Sequence, residues 1–158
     1  MIVSLATFTA IHVIISLAGI GSGLVVVFGL IAGRRLDGWT AVFLATTVLT
    51  SVTGFGFSFD HLLPSHIVGL ISLVVLAAAI FARYGRGLAG GWRRVYVIGA
   101  VVALWFNVFV LIVQSFQKVP ALKTLAPTQS EPPFLIAQCA ALVLFIALGA
   151  AATIKFRD

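Results

Sequence analysis

The stretch Phe8–Ala32 reads FTAIHVIISLAGIGSGLVVVFGLIA and is followed at once by Gly33-Arg34-Arg35. It holds no Asp, Glu, Lys or Arg. A helix needs about 20 apolar residues to cross the hydrocarbon core of a bilayer. This one is long enough, and two arginines mark where it stops. The residues before it are uncharged as well. A cleaved signal peptide starts with a positive region and has a short apolar centre, so the segment reads as a retained span.

Composition carries the same reading over the whole chain. Of 158 residues, 61% are hydrophobic and only 9% are charged. Soluble domains hold about 45–50% apolar and roughly 25% charged residues. Ten Lys and Arg with four Asp and Glu cannot cover a soluble fold of this size. A soluble globular domain, a disordered chain and a nucleic-acid-binding module are excluded, despite the net charge of +6. Nucleic-acid recognition needs basic residues on a folded polar face, and here they cluster between apolar runs. The single cysteine, Cys139, excludes an intrachain disulfide and reads as a small apolar residue within a span.

The expected fold is all-α: one transmembrane domain, residues 1–158, built as a polytopic helix bundle of five spans. The spans are 8–32, 39–57, 64–82, 95–116 and 133–154. Proline suits the first turn of a helix, where its missing N–H needs no partner, and Pro64 and Pro133 open spans three and five. Ser130 reads as the cap of span five, with Glu131 favoured by the helix dipole. All five prolines fall in loops or at helix starts, so no proline kink is expected inside a span. That argues against the broken helices many transporters use.

Charge tests the span count. With five spans, Arg34, Arg35, Arg83, Arg86, Arg93, Arg94, Lys155 and Arg157 share one face, and only Lys118 and Lys123 lie on the other. The positive-inside rule then puts the N-terminus outside and the C-terminus in the cytoplasm of a cell inner membrane. Within the spans, Gly19, Gly23, Gly29 and Gly33 set small residues one turn apart on span one. They serve either packing inside the chain or a homo-oligomer face. Thr46, Thr50 and Thr53 share a face of span two, either bonded back to their own helix or lining a polar path.

No Asp, Glu, Lys or Arg lies mid-span, which counts against a proton-driven pump or a charged selectivity ring. Catalytic triads, phosphate loops and Cys–Cys metal spacings are absent too. The histidines remain. His12 precedes Arg34 by roughly 33 Å of helix and His66 precedes Arg83 by roughly 25 Å. His61 sits in the loop between spans two and three. Five-span topology therefore gathers all three, with Asp60, at the outer end. His12 shares a face with Ser16, Gly19 and Gly23, so it is expected to point into the bundle. Asn107, Gln114 and Gln117 form a polar stripe on span four, and Gln138 enters from span five.

Two kinds of site follow. His12, His61, His66 and Asp60 form a candidate transition-metal set. Haem needs two axial ligands from different helices, and His12 and His66 are the candidates. Alternatively, His12, His66, Asn107, Gln114 and Gln138 hold a small organic or lipid-like ligand. A third possibility is that each histidine merely bonds a carbonyl or a headgroup.

The layout resembles small uncharacterised bacterial multi-pass inner-membrane proteins. The segments that carry the likeness are Gly33-Arg34-Arg35-Leu36-Asp37-Gly38-Trp39, the stretch from His66-Ile67-Val68-Gly69 to Gly91-Trp92-Arg93-Arg94, and Ser130 to Gln138. Some related-looking families place histidines after span one and before span four, like membrane cytochromes; here Asp37 and Trp92 stand in those places. The expected function is a non-enzymatic membrane protein with an outward-facing pocket for a metal, haem or small ligand. The alternatives are an accessory subunit of a larger membrane complex and a haem- or quinone-linked redox subunit.

Overall fold

A computed structural model describes residues 4–57 and 64–157. Six α-helices account for most of it: α1 (Leu5–Ile31), α2 (Asp37–Gly54), α3 (Pro64–Ile80), α4 (Trp92–Lys118), α5 (Pro120–Leu125) and α6 (Pro132–Lys155). A π-helical turn, Phe81–Gly85, extends α3. Four segments are long and apolar enough to cross a membrane: α1, α3 with its π-turn, α4 and α6. The chain is therefore an all-helical, multi-pass membrane protein. α2 is shorter, at 18 residues, and richer in threonine. The expected span bounds lie within a few residues of the helices. The loop expected over 117–132 contains the short helix α5.

Helices α1 to α4 pack in a ring, each against its neighbours in sequence, and α4 closes it against α1. α6 lies outside the ring against α1 and α4, and α5 rests on α4. Large apolar side chains cover the rest of the outside. Ile14, Val74, Val143 and Ile146 are all exposed, as expected of surface that meets lipid rather than water.

Apolar burial gives helices little drive to associate in lipid, so close approach through small residues matters more. Gly23 is where this happens. A Cβ there would come within 2.7 Å of Leu104 Cδ1 and 2.8 Å of Phe43 Cε2. Both side chains are fully buried. Gly19 likewise lies close to Thr46, Thr47 and the Asn107 amide. Gly29 accommodates Leu36, which stands in the left-handed region at φ 44. That conformation costs a branched residue roughly 1–2 kcal/mol, and seating its side chain over a bare glycine offsets part of it. Gly19, Gly23 and Gly29 are thus covered by the chain's own residues.

From Gly23 towards the arginines the bundle is solid. Val26, Val27 and Leu30 of α1 meet Phe43, Leu76, Ala79 and Tyr96 in one apolar cluster. Polar contacts close this end. Thr40 Oγ1 donates to the Arg35 carbonyl at 3.2 Å and lies 3.4 Å from the Tyr96 hydroxyl. Arg83, which the expected bounds place in the polar connection after span three, is instead buried, with 4% of its surface exposed. The π-turn makes the difference: the Arg86 N–H bonds the Phe81 carbonyl, one residue further than in an α-helix, and turns Arg83 inward. Its guanidinium stacks over the Tyr96 and Tyr84 rings, 5.1 and 5.7 Å from their centroids. One terminal nitrogen bonds Asp37 at the start of α2.

The expected Ser130 cap is not formed. Glu131 is the N-cap of α6 and makes no side-chain cap bond to that helix. Its carboxylate accepts from the Thr128 hydroxyl and from the Thr128 and Ser130 backbone N–H groups, and Ser130 Oγ bonds Thr128 Oγ1. The loop outcompetes the helix for both side chains. The Thr128 hydroxyl, helped by those backbone donors, holds the Glu131 carboxyl below its usual range. The folded-state value being depressed, the loop keeps this support at neutral pH and loses it as pH falls through that lowered value.

Two outcomes follow. Gly23→Val should lower the melting temperature in detergent, at a cost of about 1–3 kcal/mol from overpacking. Gly21→Ala, where an added Cβ meets nothing within 4 Å, should leave it unchanged. Asp37→Ala should destabilise by about 1–3 kcal/mol, because it strips a buried guanidinium of its acceptor. Adding Arg83→Met to Asp37→Ala should recover much of that loss, as read from the same melting curves.

Candidate functional site

Away from Gly23, at the end opposite the arginines, the ring does not close. A cavity of about 440 Å³ opens there between α1, α2, α3 and α4. Along α4 it runs from Asn107 to Lys118, roughly 16 Å of helix. It therefore reaches about halfway into the bundle, and its volume lies in the range of small-molecule pockets.

Each of the four helices contributes several residues to it. α1 offers His12, Ser16 and Ile20, and α2 offers Thr50, Ser51 and Gly54. α3 brings Ser65, His66, Gly69 and Ser72, and α4 brings Asn107, Gln114 and Lys118. The walls between them are apolar, with Val13, Leu17, Phe106, Val110 and Leu111. The floor is polar. Ser51 Oγ donates to Ser72 Oγ at 3.4 Å, and Asn107 Nδ2 donates to Thr47 Oγ1 at 3.4 Å. Lys118 stands at the mouth and is exposed.

The two described histidines are held differently. His12 Nδ1 lies 2.7 Å from Thr53 Oγ1. The Thr53 hydroxyl gives its proton to the Leu49 carbonyl at 2.7 Å, so it accepts from His12. In the tautomer that completes this chain of bonds, the proton sits on Nδ1 and Nε2 carries the lone pair. Second partners of this kind set the tautomer of a ligating or hydrogen-bonding imidazole. The ring edge also meets Phe57, with centroids 5.1 Å apart. His66 is buried, 5% exposed, with its ring 5.7 Å from that of Phe55.

Thr46 and Thr53 bond back to the carbonyls of Val42 and Leu49, four residues earlier. Thr50, on the same face, does not. Its buried hydroxyl has no hydrogen-bond partner among the described residues, and it lines the cavity. Of the two roles expected for this face, Thr46 and Thr53 take the helix-internal one and Thr50 the polar lining.

His12, His66, Asn107 and Gln114 are thus brought to one cavity. Gln138 is not. Its Nε2 donates to the Phe109 carbonyl at 3.2 Å, where α6 packs on the back of α4. Gln117 is exposed and pairs with Gln129 at 3.4 Å. Asp60 and His61 lie outside the described residues. Among the described residues, no three His, Cys, Asp or Glu side chains gather as a metal site would need. Cys139 is exposed on α6, away from the cavity.

Chemically, the cavity offers a lone pair on His12, an unbonded hydroxyl on Thr50 and two amides, all set in apolar walls. Such a lining suits a mostly apolar organic molecule that carries a few hydrogen-bonding groups. Comparison with family models, with curated proteins and with solved structures finds no match to this chain.

Proposed function

We propose that this chain is a small inner-membrane protein that holds a mostly apolar organic ligand in an outward-facing pocket. The cavity of about 440 Å³ between α1 and α4 is the observation that carries the reading. A chain that only joined helices would gain by closing this end as it closes the other. Instead, polar groups from four helices face a shared space. The absence of mid-span charges favours binding or carrying over proton-coupled work.

The topology that goes with this reading has five crossings, the N-terminus outside and the C-terminus in the cytoplasm. α2, at 18 residues, is about 27 Å long, close to the roughly 30 Å hydrocarbon thickness. Its first residue meets Arg83 and its far end meets His12 through Thr53. It therefore runs between the same two levels as its neighbours. Counted so, the arginine groups share the cytoplasmic face. Self-association is compatible with this arrangement through other surfaces, since Gly19, Gly23 and Gly29 face the chain's own helices.

A second reading rests on His12 and His66 lining one cavity. Two imidazoles from different helices suit a transition metal or a haem iron, and the lone pair left on His12 Nε2 favours ligation.

Three measurements decide. Solvent extraction of detergent-purified protein, followed by mass spectrometry, should release a small organic compound in near-stoichiometric amount. Ser16→Trp and Leu111→Trp, which fill the cavity from two different helices, should each lower its recovery about tenfold while leaving the melting temperature within a few degrees. Nothing recovered from the unaltered protein would overturn the ligand reading. Metal analysis and a Soret-region spectrum test the second reading: bound iron or another metal that is lost in both His12→Ala and His66→Ala would establish it in place of the first. For topology, single cysteines at Arg34 and Arg86 in a Cys139→Ser background should resist impermeant thiol reagents in intact cells. A cysteine at Gln129 should react. Opposite behaviour of positions 34 and 86 would overturn the five-span arrangement.

A further inference from the structure

The basic residues at the packed end are not equivalent. Arg83 and Arg35 are matched by Asp37, and the Arg86 guanidinium stacks 5.6 Å over the Trp92 ring. Arg94 and Arg157, with Arg93 beside them, line an open cleft between the start of α4 and the end of α6. No carboxylate lines that cleft among the described residues. Arg94 makes no ion pair or side-chain hydrogen bond among them. Arg157 donates its Nε to the Ile154 carbonyl at 2.9 Å, which anchors the guanidinium and leaves its two terminal nitrogens directed to no other partner.

We propose that this cleft binds the phosphate headgroup of an anionic phospholipid. Arg94, near the start of α4, and Arg157, just past the end of α6, line the same cleft although they are far apart in sequence. Guanidinium presents donors in a planar fork that fits phosphate oxygens two at a time. Gly90 and Gly91 leave the entrance clear, since an added Cβ at either meets nothing within 4 Å. The wall beneath the arginines is apolar: Ile154 is 58% exposed, and Val97 and Phe156 lie behind it. A free phosphate ion has no use for that wall, whereas the acyl chains of a lipid lie along it. Basic pockets between spanning helices at this level recognise lipid headgroups in the same way. The proposal is independent of what fills the cavity at the other end.

Native mass spectrometry of the full chain in detergent tests it. Dioleoyl phosphatidylglycerol should bind more tightly than dioleoyl phosphatidylcholine, which has the same chains. Arg94→Gln and Arg157→Gln should each weaken phosphatidylglycerol binding about fivefold, and the double variant more. Arg157 follows the last helix, so its replacement leaves the fold intact. Arg34→Gln, at the same end but outside the cleft, should change binding little. Equal binding of the two lipids, an unaffected double variant, or an equal loss in Arg34→Gln would overturn the site. Displacement of phosphatidylglycerol by inorganic phosphate at matching concentration would overturn the lipid as its occupant.

Discussion

The structure depends on how closely α1 approaches α2 and α4 at Gly23. Phe43 and Leu104 fill the space a side chain would occupy there, and no larger residue fits without moving both. On one side of this contact the helices are near enough for Val26, Val27, Tyr96 and their neighbours to interdigitate. On the other side, small and polar residues such as Ser16, Thr50, Ser72 and Asn107 stand between the apolar walls. They do not fill the gap, and a cavity results. One close approach thus separates a filled half of the bundle from a hollow half.

Polar groups are placed according to that division. In lipid, a backbone or side-chain polar atom must find its partner within the protein. At the filled end the partners are few and specific: Asp37 for Arg83, and Thr40 beside Tyr96. At the hollow end Ser51 pairs with Ser72, Asn107 with Thr47 and His12 with Thr53, while Thr50 Oγ1 has no partner among the described residues. The first arrangement holds helices in register. The second leaves hydrogen-bonding capacity facing a space.

Much of this was legible in the sequence, and for identifiable reasons. Apolar run lengths gave the long helices, and charge clustering gave the expected alternation of their ends. Distance from the arginines put His12 at the end of α1 away from them, and its i, i+4, i+7 spacing with Ser16 and Gly19 put it on the face that points into the bundle. The same reasoning grouped His66, Asn107 and Gln114 with it. Gln138 went differently because spacing shows which residues share a face, not which neighbour that face meets; α6 lies outside the ring and turns Gln138 to the back of α4. Arg83 was read as a loop cation because a helical repeat of 3.6 residues contains no sign of a π-turn. Ser130 and Glu131 fit a helix start by type, yet Thr128 lay close enough to take both. Asp60 and His61 fall outside the described residues, so the fourfold metal set stands as a sequence expectation.

The peripheral position of α6 bears on how the molecule is assembled as it is made. α1 to α4 meet in the order in which they are synthesised, and the contact of α4 with α1 completes their circle. The final helix, 24 residues long, adds to the outside of an object already closed. Its attachment needs no earlier helix to open again. The hollow is therefore lined without any residue of α6.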